Sequence, residues 1–335
     1  MDFRSILFFA AAALLFVRSA AAADPQEFQV KHFDITEGRV AFSYIDGDKK
    51  DIYVLDFKDL NVTPIVTSNA VDESPSWSPD GRKLVFHSDM TGDREVYLVN
   101  YDGSDLQQLT TNKGPDEDPA FSPDGKKIVF QSTREGQSSD IYMMDSDGRN
   151  QLRLTGSTDA GREVKNVTPR FSPRNDEVLY VTNAQWPGWD IMLYGLESKE
   201  TKALTQGLGS YIRPAWKHDG GSFAFSYGSA NDIDIWHAQK GKTTPLPLIR
   251  RDGRDLDPAW SDDGRYLFFA GETGGQNDYQ LFLFDTSPVK NAKGKIEPIV
   301  QLMQSRGSIR HPAWTPFPTV AQITAEIKKK HKAAP

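Results

Sequence analysis

Short runs of mostly apolar residues recur along the chain, each cut off by a cluster of polar, Pro or Gly residues. One series reads KLVFHS (83–88), KIVFQS (127–132), EVLYVT (177–182), SFAFSY (222–227) and YLFFAG (266–271). A second follows after a polar loop: EVYLVN (95–100), DIYMMD (140–145), DIMLYG (190–195), DIWHAQ (234–239) and QLFLFD (280–285). These runs are too short for helices and rich in β-branched and aromatic residues, so they predict strands. Ahead of each pair stands Pro-x-aromatic. It places Trp77, Phe121, Phe171, Trp216, Trp260 and Trp314 at intervals of 44, 50, 45, 44 and 54 residues.

A turn follows each of the first five aromatics: SPDG (78–81), SPDG (122–125), SPRND (172–176), KHDGG (217–221) and SDDGR (261–265). Pro suits the second position of a type I turn, and Gly takes the positive φ that comes after it. A further turn leads to a last short strand, as in YDGSDLQQLT ending at Thr110. Four strands in roughly 45 residues predict one blade of a β-propeller. The sixth aromatic, Trp314, has only TPFP and a tail after it. Its missing strands stand at the other end of the chain, as RVAFSY (39–44), DIYVLD (51–56) and VTPIV (62–66). The expectation is therefore all-β. Six four-stranded antiparallel blades form one domain over 24–318, closed by pairing the strand around Trp314 with the strands of 39–66. The repeated aromatics are expected to pack between neighbouring blades rather than to form a ligand box.

Composition narrows the classes. The 335-residue chain carries a formal net charge of −7 and no cysteine. A basic footprint for nucleic acid is missing, and disulfides, thiolate metal sites and Cys nucleophiles are all excluded. Residues 1–23 read as a secretory signal peptide: a short charged start, an apolar run from Ser5 to Val17, and small residues up to Ala23. Cleavage near Ala23 predicts a soluble periplasmic or extracellular monomer. Residues 319–335 predict a short helix and a basic tail.

Antiparallel order puts the SPDG turns on one face of the ring, and the loops entering each first strand on the other. The inbound loops vary most in chemistry, and variable loops on a rigid scaffold tend to carry function. Three residues before the Pro stand Asp72, Asp116, Asn166, Tyr211, Asp255 and Ile309; directly before it stand Ser74, Asp118, Thr168, Arg213, Asp257 and His311. The candidate binding residues at the channel mouth are Asp72, Asp116, Asp118, Arg213, Asp255, Asp257 and His311. For the column of Asp72, Asp116 and Asp255, the alternative is that the carboxylates tie down nearby loop groups, as Asp does in turns. Trp186 and Trp189 in AQWPGWD are candidate loop anchors for a partner, or else fold back onto the blade. No hydrolase elbow, zincin helix, phosphate loop or dinucleotide fingerprint occurs. No catalytic residue and no cofactor is assigned; a channel Ca²⁺ on oxygen ligands is conceivable but nothing in the spacing demands it.

The sentence P-x-W/F-S-P-D-G, then L-V/I-F-x-S, then D-I-Y, then D-G…L-T resembles the repeats of the TolB-like six-bladed propeller family. Residues 72–110, 116–155 and 255–285 carry it best. The resemblance implies a periplasmic, non-catalytic protein that docks a protein or peptide, such as an envelope lipoprotein, at the propeller mouth. The α/β domain that precedes the propeller in TolB has no counterpart in this sequence. The class also includes oligogalacturonate lyases, so a metal-assisted polysaccharide lyase acting in the channel is the alternative.

Overall fold

The computed structural model describes residues 28–31, 35–156, 163–184, 188–207, 213–229, 231–242, 244–274, 277–288 and 298–316. The signal-peptide, C-terminal helix and Trp186 expectations lie outside the described residues. Among the described residues there is no helix; the strands form six antiparallel sheets. Blade 1 runs outward from the axis as Ser308–Thr315, Arg39–Asp46, Lys49–Asp56 and Asn61–Val66. The inner strands of blades 2 to 6 are Asp72–Trp77, Asp116–Phe121, Asn166–Phe171, Ala215–Trp216 and Asp255–Trp260. The C-terminal strand thus completes the N-terminal blade, with Val40 opposite Trp314. Blade 6 holds a fifth strand that the sequence pattern did not announce. Phe28–Val30 pairs on its outer edge, Phe28 opposite Ser305. The run is only three residues long, too short to leave a period of its own. Phe28 then packs on Tyr44 and Tyr53 of blade 1, at 5.0 and 5.4 Å between ring centroids. Both ends of the chain therefore cross the same seam, which leaves the ring without an open junction.

The turns form as their chemistry requires. In SPDG the Gly81 N–H donates to Ser78 O at 2.8 Å and the Ser78 hydroxyl donates to Asp80 at 2.6 Å. Gly81 sits at φ +66° and Asn175 takes the same place at φ +61° in SPRND, where no Gly is available. The aromatics wedge between sheets. Trp77 clusters with Ala41 and Val54 of blade 1 as well as Leu84 and Phe86 of its own blade. Its indole N–H donates to Ala313 O at 3.0 Å. Trp314 stacks on Phe268 of blade 6 at 5.1 Å and 11°. Gly38 covers the same ring at φ +104°, and an added Cβ would stand 2.2 Å from a Trp314 carbon.

Candidate functional site

Among the described residues, five of the six inner strands carry an irregularity next to their proline, blade 5 being the exception. The register shifts between Glu73 and Ser76, between Gln131 and Val129 opposite the second repeat, and between Leu256 and Ala259. The residue directly before the proline is left-handed: Ser74 at φ +56°, Asp118 at +50°, Thr168 at +52°, Asp257 at +56° and His311 at +53°. A non-Gly residue there costs about 1 kcal/mol or more, so neighbours must hold it. They do so across the blade boundary. The Ser74 N–H donates to Ser43 Oγ at 3.1 Å, the Asp118 N–H to His87 Nδ1 at 3.3 Å, and the Thr168 N–H to Gln131 Oε1 at 3.0 Å. Ser43, His87 and Gln131 occupy one position of the second strand of successive blades.

The inner strands bring four of the seven sequence-predicted mouth residues together, three of them on left-handed bulges. Arg213 bridges two carboxylates: its Nη1 donates to Asp118 Oδ1 at 2.9 Å and its Nε lies 3.2 Å from Asp257 Oδ1. Asp118 Oδ1 also accepts from the Ser74 hydroxyl at 2.7 Å. Asp257 Oδ2 takes Arg310 Nε at 2.6 Å and the His311 N–H at 3.2 Å. His311 Nδ1 meets Ser43 Oγ at 3.2 Å. Ser43 already accepts from Ser74 N–H, so its own hydroxyl is free to donate to the imidazole. The circuit closes across the channel through side chains of five blades.

Electrostatics follow from this circuit. Burial opposes ionisation of Asp118, but Arg213, then His87, outweigh it and hold the carboxyl well below the usual range. Asp257 is likewise buried, and Arg310, His311 and Arg213 hold it far below the usual value. Burial, then Arg213, push His311 down to about 3, so it is neutral at pH 7. Arg213 is pushed up: Asp118 and Asp257 outweigh its desolvation.

Asp72, Asp116 and Asp255 stand elsewhere. Each is fully buried at the start of its strand, and each is held by the residue four positions earlier. Ser68 Oγ donates to Asp72 Oδ2 at 2.9 Å, Asn112 Nδ2 to Asp116 Oδ2 at 2.6 Å, and Arg251 Nη1 to Asp255 Oδ1 at 2.5 Å. Burial pushes Asp72 up to about 6 and Asp255 up to about 7, Arg251 opposing but not overcoming it in the latter. Burial also raises Asp116. Trp189 is partly buried and packs on the cluster that contains Leu193 and Trp216.

Residues not singled out by the sequence complete the mouth. Arg310, Glu73 and His87 flank the circuit; Glu73 pairs with Lys50 at 3.2 Å, and Arg94 pairs with Glu117. Ser43 and His87 were legible as the polar residue that directly follows the apolar run of each second strand, VAF and LVF. Among the described residues, no three His, Cys, Asp or Glu side chains converge as a metal-binding group.

The other end of the channel is open space. A cavity of about 440 Å³ lies among the SPDG-type turns, ringed by the six inner-strand aromatics. Arg170, His218 and Asp262 are also on its wall.

The sequence matches the family described as the TolB beta propeller domain over residues 33–207 and 138–292. The chain belongs to the TolB β-propeller family. Its fold is similar to TolB from Acinetobacter baumannii (TM-score 0.69, 23% identity), covering 83% of this chain and 66% of that one. It is similar to a putative TolB from Agrobacterium tumefaciens (0.61, 18%), covering 84% and 99%. An oligogalacturonate lyase in complex with manganese shares the fold at 0.53 and 15% identity, covering 72% and 73%. The chain thus spans just under two thirds of the Acinetobacter protein. At these identities the likeness is one of fold.

Proposed function

We propose that this TolB-family propeller is an exported, non-catalytic protein that binds a protein or peptide at the channel mouth. Export is the reading of residues 1–23 and of membership in a family whose name belongs to a periplasmic protein. The observation that carries the binding reading is the mouth circuit. Strained backbone turns Asp118, Asp257 and His311 toward Arg213, and strain of that kind accumulates at functional sites. The mouth then presents fixed charges of both signs, with Arg213 still 28% exposed and Lys50 and Arg94 on the rim. Such a surface suits a polar segment carrying both charges, as an envelope lipoprotein or another exported partner would offer.

The test leaves the buried carboxylates alone, because reversing them would disrupt the circuit. Lys50→Gln with Arg94→Gln in the full chain removes both rim charges without setting like charges against Glu73 and Glu117; it should abolish recovery of the partner from native envelope extract while the far-UV spectrum and cooperative melt of the parent are kept. Full recovery by this variant would sink the mouth as the binding site. The lyase alternative makes a separate prediction: Ca²⁺ or Mn²⁺ would raise the melting temperature by binding the folded state. The binding reading expects no shift.

A further inference from the structure

The middle residue of Pro-x-aromatic is small in five blades and large in one. The column reads Ser76, Ala120, Arg170, Ala215, Ala259 and Ala313. Four of these line the turn-end cavity, and small side chains on its wall keep it open. Arg170 is the exception, and its surroundings do not explain it as packing. Its Nη1 donates to Pro169 O at 2.7 Å, a carbonyl one residue away. Among the described residues no carboxylate forms an ion pair with it. The nearest acids that act on it, Asp118 and Asp257, are engaged by Arg213 and Arg310.

Charge counting sharpens this. Two carboxylates and two guanidiniums balance in the mouth circuit, and His311 is neutral. Arg170 leaves one positive charge over beside that circuit; the carboxyl on the cavity wall, Asp262, is acted on by His218 and Asp263 instead. Enclosing a guanidinium without a counter-ion is costly, and burial pushes Arg170 below its ordinary value. It also has five N–H donors in a planar fork, only one of which is accounted for. The fork matches a carboxylate bidentately. The wall carries the six aromatic rings and four prolines, which suit an apolar body, between serine hydroxyls and the pair Asp262 and His218, whose charges act on each other rather than on Arg170. At about 440 Å³ the cavity falls within the range of small-molecule sites.

We propose that the turn end of the channel is a second binding site, for a small monoanion that joins a carboxylate to an apolar body, with Arg170 holding the carboxylate. The site opens at the end of the channel away from the mouth and stands whether or not the mouth binds a protein. A phosphate dianion fits less well, because one guanidinium balances one charge.

Calorimetric titration of the full chain at pH 7 with hippurate and with its neutral amide tests this. Hippurate should bind at least about tenfold more tightly than the amide, since charge-assisted bonds to a fork are lost in the amide. Arg170→Gln should weaken hippurate by about tenfold or more, and Arg170→Lys by less. Should Arg170→Gln fail to fold, Ala215→Leu provides an independent check. It leaves every charge in place, narrows the cavity and should also weaken binding. In crystals soaked with 4-bromohippurate, the bromine should lie among the aromatics. The proposal is overturned by equal binding of amide and acid, by no binding of hippurate up to about 10 mM, or by bromine at the mouth.

Discussion

Asp255 and Asp257 lie two residues apart on one inner strand, both almost wholly buried. Burial pushes Asp255 up to about 7, while Asp257 falls far below the ordinary carboxylate value. Asp116 and Asp118 repeat the contrast in blade 3, one raised and one lowered. Burial alone raises a carboxylate, so burial is not what separates them. Reach is. The first member of each pair points to its own inbound loop and finds a partner four residues back. The second stands on a left-handed bulge, which swings it towards the axis and places it against guanidiniums of other blades. One strand thus supplies a local staple and a cross-ring charge.

The widest gap between the two columns should appear when the shared guanidinium is removed. Arg213→Gln leaves Asp118 and Asp257 both short of a partner, and breaking a buried pair in this way costs about 3–5 kcal/mol. Arg251→Gln leaves Asp255, which already carries a proton over much of the acid range, and should cost about 1–2 kcal/mol. Urea unfolding at pH 7 measures both; equal losses would erase the distinction.

The columns should also respond to pH with opposite sign. For Asp118 and Asp257 the folded value lies below the unfolded one, so their stabilisation is present above about pH 4 and lost as pH falls. His311 adds to the same limb: its folded value of about 3 lies below the unfolded value, and stability is lost as pH drops below about 6.5. Asp255 and Asp72 act the other way. Their folded values are raised, so their contribution is complete below about pH 4 and is lost as pH climbs through about 7 and about 6. Asp255→Asn should therefore match the parent near pH 4 and exceed it at pH 8, by on the order of 2–4 kcal/mol at 1.36 kcal/mol per unit. A variant weaker than the parent at pH 8 would contradict the raised value.

Hydroxyl donors give the finest comparison. Ser74→Ala removes the cross-blade bond to Asp118, an ionised acceptor, and should cost about 1.5–3 kcal/mol. Ser68→Ala removes the local bond to Asp72 and should cost about 1 kcal/mol or less at pH 5, where Asp72 is largely protonated. Thermal melts at that pH separate the two.

The fold was legible because its signals are local and repeated. Pro-x-aromatic, a turn and two apolar strands recur in the same order every 44 to 54 residues, and the lone Trp314 pointed to closure by the N-terminal strands. Phe28–Val30 escaped notice because three residues carry no period, and only tertiary pairing with Ile299–Ser305 makes them a strand. The candidate site was half legible. Columns before the proline placed Asp118, Arg213, Asp257 and His311 in one ring, but no sequence pattern distinguishes a residue that turns inward from one that turns to its loop. That depends on the left-handed bulge at the second of each pair, which the rule against helical backbone before proline does not foretell. Arg170 was visible as the single large residue in a column of Ser and Ala. Its meaning needed the cavity beside it.

Site-resolved titration of the Asp side-chain carboxyls by ¹³C NMR on the full chain tests the central claim, that partners across the ring and not burial set the charge at the mouth. Asp255 should titrate with a midpoint near 7, while Asp257 should stay ionised from pH 8 down to about pH 3. A common midpoint for the two, or a raised midpoint for Asp257, would contradict it.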